Sequence, residues 1–402
     1  MGVNDIYKLA LTLPVSKLET PTSYLSRLAA RNHCDSISSF CYDVGIELGA
    51  VSSGDREAIQ FITKIADLPR DSFVQTTILK TTTMRYQLGK EGLDTRTLNR
   101  GEVRICPSCI LQDISVSGQI WDAIHQLHWQ IPQIERCAQH GVKLITLGEK
   151  NNTAARYDFI RSIRAHRAEI EASKIEGFAD PFDVYLSRRI YGEMPDGWGQ
   201  NLDIPALWRS AEALGTLLIH GKKRDGNRLN EHERRIALLR GFLVLQSGRD
   251  GIRAELSSFT KNTPREKGYQ PSPQYGGLQR LLGSSNKQRE GYNPLRDIVR
   301  EYIADNYPLK AGYVAFGIPI TERKVHSVRS ASLEVKIRRV LVEEMLIERD
   351  YDIRRKEGQF ELTKILTADV VEDLKCERDR FLSKNEAADY LGSNRRHVQR
   401  AT

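Results

Sequence analysis

No apolar run in the chain approaches the roughly 20 residues that cross a bilayer, and only six of its 402 residues are cysteine. The first absence argues against a membrane-spanning protein, and 28% charged residues with a mean hydropathy of −0.46 point to a soluble one. The second excludes a secreted disulfide scaffold, which would be shorter and denser in thiols, and favours a reducing interior. The opening MGVNDIYKLALTLP has one lysine before a short mixed stretch and no small-residue cleavage site, so no signal peptide is expected. Ile6 stands where a myristoylation signal carries Ser or Thr. Chemistry is thin as well. There is no GxxxxGK[ST] phosphate loop, no HExxH and no GxSxG. Acidic residues form no cluster of catalytic spacing, and His and Ser are too scattered to nominate a triad. Recognition is expected rather than catalysis.

What is present suits several folded domains. Hydrophobic residues make up 40%, and the length fits about two to four domains of ~100–150 residues. A net charge of +8, from 60 basic and 52 acidic side chains, leans mildly towards polyanions. In ETPTSYLSRLAARN, Thr20 or Thr22 can cap a helix with Pro21 in its first turn, and Tyr24, Leu25, Leu28 and Ala29 share one face. A second helix starts near Ser36, and helical signal runs to about residue 98. Apolar spacing in PALWRSAEALGTLLIH and RRIALLRGFLVLQSG makes the middle helical, and two Gly/Pro-rich breaks follow. The fold class is mainly α: a helical N-terminal domain with a structural zinc finger, then helix-turn-helix domains. The divisions are 1–148 with the finger at 104–142, a helical middle at 149–260, a linker at 261–293, a first helix-turn-helix domain at 294–365 and a second at 366–402.

Cys106, Cys109, Cys137 and His140 form the pattern C-x2-C-x27-C-x2-H. A two-residue gap lets a tight turn aim both side chains at one ion, and thiolate with imidazole suits tetrahedral zinc. Two clips fill four positions and leave none for water, so the site reads as structural. Chance placement and a disulfide are the bland alternatives. His125 and His128 lie between the clips and compete as ligands, or serve as core or surface residues of an intervening helix. Cys34 and Cys41, seven apart on one helix face, form a second site with His33 or are simply buried. GVKLITL is a short strand or extended exit. Cys376 is solitary.

KVHSVRSASLEVKIRRVLVEEMLIE reads as a helix from Ser327, a turn at Lys336 where glycine would be more comfortable, and a second helix from about Arg338. Val328, Ala331, Val335, Ile337, Val340, Leu341 and Met345 are its expected interior. Residues 323–339 hold six basic side chains and one acidic, a local +5, and Arg329, Lys336, Arg338 and Arg339 are candidate DNA contacts. Glu343 and Glu344 make the later half of that helix a poor partner for DNA. DYDIRRKEGQFEL reads as a hairpin that would give this pair a wing. In FLSKNEAADYLGSNRRHVQRAT, Ser383 and Glu386 form a capping box, Ala387, Ala388 and Leu391 pack inward, and Gly392 makes the turn. Arg395, Arg396 and Arg400 then project from a helix that stops at Thr402, which reads as a truncated unit.

TPTSYLSRLAARN and CPSC…HWQIPQIERCAQHGVKLI together resemble the TniQ family, the target-selection component of bacterial transposons that work with an AAA+ ATPase (TniB or TnsC). RGFLVLQSGRDGIRAEL, HSVRSASLEVKI and LSKNEAADYLGS are similar to stretches of longer members. Trp129 stands where relatives often carry His. The resemblance implies Zn2+ on Cys106, Cys109, Cys137 and His140, no catalytic activity of its own, and a bacterial cytoplasmic setting. It implies the ATPase and target DNA as partners, reached directly or by riding on a CRISPR Cascade complex, with a homodimer as a further option. A zinc-containing transcriptional regulator and a nuclease are the rival readings.

Overall fold

Thr20 caps the first helix, Pro21–Arg31, by accepting from the Ser23 amide at 3.2 Å, and Pro21 occupies the first turn where its missing N–H costs nothing. Tyr24, Leu25, Leu28 and Ala29 are buried on one face, as expected, against Ile37, Phe40 and Ile62 from the following helices and Phe73 from the turns after them. The Ser36 side chain caps the next helix, Ile37–Val44, and the Asp55 carboxylate caps Arg56–Ile65. The computed structural model describes residues 8–148, 157–173, 177–224, 226–262, 275–283, 287–351, 365–381 and 384–392. Its described residues are mainly helical, with little sheet. None of their helices is long and apolar enough to cross a membrane.

The chain divides into two units, Met1–Glu212 with Leu238–Gln246, and Ala213–Ala237 with Ser247–Thr402. In the first, helical signal does not persist to residue 98. Strands Leu79–Lys80, Arg85–Leu88 and Glu91–Asp94 form an antiparallel sheet in chain order. Gly89 at φ +53 closes the two-residue turn between Leu88 and Glu91, a signal that outweighs weak helical propensity. Strand Val103–Ile105 pairs with Ile145–Leu147, so GVKLITL is the partner strand that brings both ends of the finger together.

A buried ion pair anchors this unit. Arg27 Nη1 lies 2.6 Å from Glu19 Oε2, with both side chains almost fully shielded from solvent. Ser23 Oγ donates to Glu19 Oε1 at 2.9 Å, and Arg27 Nε donates to the Trp121 carbonyl at 2.6 Å. Burial pushes the Glu19 carboxyl above its usual range, against the pull of Arg27.

In the second unit, helix Gly248–Asn262 lies against Asn293–Asn306, joined by Arg253–Asp305 at 2.8 Å and by Tyr302 Oη donating to Thr260 Oγ1 at 3.2 Å. Further on, Ser327 and Ser330 form a reciprocal cap on helix Val328–Val335. Lys336 ends it at φ +60, the left-handed conformation where a glycine would be less strained. Helix Arg339–Glu348 follows, and helix Ala368–Arg378 completes a small core of Ala331, Val335, Val342, Leu346, Val371 and Leu374. Val340 and Leu341, expected inside, are 61% and 47% exposed. Because the helix begins at Arg339, its phase turns Val342 and Leu346 inward instead. Leu391, also expected inside, is 64% exposed, since it lies past the end of helix Lys384–Tyr390 in the turn at Gly392. The expected wing turn, the Ser383 cap and the helix carrying Arg395 lie outside the described residues.

Truncating one member of the buried pair strands the other. Arg27→Met should destabilise the protein by about 3–5 kcal/mol, and Glu19→Met with Arg27→Met together should cost less than Arg27→Met alone. Urea unfolding of the three proteins checks this; equal losses in the single and double variants would disprove an uncompensated carboxylate as the cause.

Candidate metal centre

The first clip begins where strand Val103–Ile105 ends. Cys106 is the N-cap of helix Pro107–Ser117, and Cys109 follows one turn later on the same face. The second clip is a tight turn: the Gly141 amide donates to the Cys137 carbonyl at 2.8 Å and the Cys137 amide to that of Val142 at 2.8 Å. Gly141 has φ +65, and a Cβ there would stand 1.9 Å from the Gly177 carbonyl oxygen, so only glycine fits.

Two charged side chains aim that turn. Arg104 donates to the carbonyls of Trp129, Ile131 and Ile134 at 3.2, 2.9 and 2.6 Å, pinning the irregular segment that leads into Cys137. Asp183, fully buried on helix Pro181–Ile190, accepts from the amides of Glu135 at 3.0 Å and Arg136 at 3.1 Å. Neither role was visible in the sequence, because each depends on backbone groups far away in the chain.

All four predicted ligands meet. Their ligand atoms lie within 4.8 Å of one another, and the three cysteines are buried. Cys109 Sγ is 3.6 Å from Cys137 Sγ and 3.2 Å from His140 Nδ1, while Cys106 Sγ and Cys137 Sγ are each 3.7 Å from that nitrogen. A disulfide needs S–S near 2.0 Å, and the cysteines are free. Sulfurs around a tetrahedral ion at ~2.3 Å stand roughly 3.8 Å apart, so the observed spacing fits. Hydrogen bonding with the Cys106 and Cys137 sulfurs, together with burial, pushes the Cys109 thiol up, and Cys137 is pushed down because the Cys106 and Cys109 thiols donate to it. The cluster can hold one metal ion, with no open position for chemistry.

The competing histidines are occupied elsewhere. They sit outside the helix, His125 in an extended segment and His128 in a short 3-10 turn. His125 Nε2 is 3.0 Å from the Arg104 carbonyl and its ring packs on Phe159 and Trp129. His128 Nδ1 is 2.8 Å from Tyr191 Oη. Cys34 precedes the cap of helix Ile37–Val44 and does not share a helix face with Cys41. Cys41 is buried in the apolar core, where desolvation pushes its thiol up to about 11, and the two form no metal cluster among the described residues.

Of the candidate DNA contacts, Arg329 is exposed on helix Val328–Val335, Lys336 and Arg338 are exposed at the turn, and half-buried Arg339 pairs with Glu343 at 2.8 Å. Arg395, Arg396 and Arg400 lie outside the described residues.

Residues 10–144 match the model of the TniQ family, a span that holds all four metal-cluster residues. Among curated proteins, none matches the chain.

Burial pushes the imidazoles of His125 and His128 down to about 4, so both stay neutral where an unfolded chain protonates near 6.5. The unfolded state therefore binds more protons between about pH 4 and 6.5, and stability should fall as acid is added through that window, by at most roughly 3 kcal/mol per ring. His125→Gln keeps a donor for the Arg104 carbonyl and should flatten the dependence of melting temperature on pH there. A slope equal to that of the unaltered protein would contradict the assignment.

Proposed function

We propose, from the match of residues 10–144 to the TniQ family model, that the chain is a non-catalytic adaptor for target selection in DNA transposition. The observation that carries this reading is the closed Cys3His cluster inside the family segment. Cys106, Cys109, Cys137 and His140 would hold Zn2+, because thiolate and imidazole at this spacing are its preferred tetrahedral donors. The ion supplies a cross-link between the two clips whose binding energy adds to folding. The N-terminal helical domain, stiffened in this way, presents a fixed surface to an AAA+ ATPase, and the C-terminal helix pairs, read as helix-turn-helix units, hold the target.

Direct and guided targeting place different demands on those pairs. The outward face of helix Arg339–Glu348 carries Val340, Leu341, Glu344, Ile347 and Glu348, all exposed. Two carboxylates among apolar groups repel a phosphate backbone, so this face favours a protein such as a Cascade subunit. Lys336 and Arg338 at the turn and Arg329 on the preceding helix, all exposed, are candidate phosphate contacts, and Arg395, Arg396 and Arg400 are the stronger candidates for duplex DNA.

A binding assay of the purified chain against a transposon ATPase, a Cascade complex and duplex DNA tests the proposal. Retention of the ATPase is the expected result, and binding of DNA with neither protein would favour a transcriptional regulator. Cys106→Ser or His140→Ala should lower zinc from one ion per chain to little or none by elemental analysis, and should lower the melting temperature. Full zinc content with unchanged melting would refute the ligand set. Arg395→Ala with Arg396→Ala should weaken duplex binding and reduce the slope of log affinity against log salt by about two; an identical salt series would remove both from the DNA surface.

A further inference from the structure

The zinc reading leaves one polar contact at the cluster unexplained. Gln112 Oε1 lies 3.1 Å from Nε2 of His140, the ring nitrogen turned away from the sulfurs. Gln112 occupies helix Pro107–Ser117 at i, i+3 and i+6 from Cys106 and Cys109, so one helical face presents two thiols and an amide in succession. The two thiols belong to the first clip, and the amide reaches across to the histidine of the second.

We propose that Gln112 is a positioning residue that determines which nitrogen of His140 meets the ion. A neutral imidazole carries one N–H and one lone pair. The amide oxygen only accepts, so its presence places the hydrogen on Nε2 and leaves the lone pair on Nδ1, 3.2–3.7 Å from the three sulfurs. The reversed amide would donate to Nε2 and force the hydrogen onto Nδ1, where it would point at the cluster and exclude a cation. Ring orientation and tautomer are thereby set together, as in other histidine–metal sites. Gln112 is itself exposed, so water replaces it imperfectly and its loss weakens the site without abolishing it.

The inference rests on the zinc reading, and competition of the full chain for zinc against a chromophoric chelator separates the two. The unaltered protein, Gln112→Ala and Gln112→Glu are compared, with circular dichroism to confirm the fold. Gln112→Ala should lose about tenfold in zinc affinity, and Gln112→Glu, a stronger acceptor, should restore it to the original value or better. Substituting Co2+ for zinc should show tetrahedral absorption bands in all three. An unaltered protein that binds no metal overturns the ligand assignment itself. A zinc-binding protein whose Gln112→Ala variant keeps full affinity, or whose Gln112→Glu variant stays as weak as alanine, overturns the role of Gln112 alone.

Discussion

Three sulfurs and an imidazole nitrogen, each within 4.8 Å of the others and mostly screened from water, form a donor set that one metal ion could hold together. Much of the N-terminal unit is arranged to bring them there. The strand pair Val103–Ile105 and Ile145–Leu147 closes the finger at its base. Arg104 and Asp183 then orient the second clip, one by donating to carbonyls and the other by accepting from amides. The polar network continues into the first helix. Ser23 Oγ, which donates to Glu19, also accepts from the His125 amide at 3.0 Å, tying the Arg27 ion pair to the segment between the clips. Stabilising the cluster therefore also stabilises the opening helix, although 75 residues separate Arg31 from Cys106.

The ligands could be read from the sequence because their meaning is local: a CxxC or CxxH clip needs nothing beyond its own turn to converge. Gln112 has an ordinary neighbourhood and acquires a role only when His140 arrives from 28 residues away. Asp183 lies 46 residues past Cys137, on a helix whose pattern reports only its own amphipathic face. First-helix capping was legible for the same reason as the clips, since Thr20 and Pro21 act within one turn. The sheet at 79–94 was not, because its strands are two to four residues long and too short to establish a period against helical flanks. Of its signals, only the Gly89 turn was strong.

The helix pair at 327–348 shows a different limit. Its turn could be placed at Lys336, yet its interior was out of phase by a residue or two, enough to exchange Val340 and Leu341 for Val342 and Leu346. A boundary error of that size rotates a helix by a large fraction of a turn, so it changes which residues meet a partner.

Charge counted along the chain misleads in a related way. Residues 323–339 carry a local +5, but three of the six cations are paired, one with the segment's own Glu334 and two with acids outside it. Arg323 lies 3.4 Å from Glu334, Lys324 3.0 Å from Asp305, and Arg339 2.8 Å from Glu343. Lys375 approaches Glu334 as well, so that carboxylate is shared. Exposed pairs of this kind add little to stability, but they reshape the potential a ligand meets. What remains projecting is a narrow cationic rim at the turn beside an outward helix face that is apolar and acidic. A duplex needs a continuous basic track along its backbone, whereas a protein surface needs an apolar centre with a charged margin. Geometry closer to the second kind is what this helix offers: exposed Val340, Leu341 and Ile347 with Glu344 and Glu348 among them, and Lys336 and Arg338 at the turn before it.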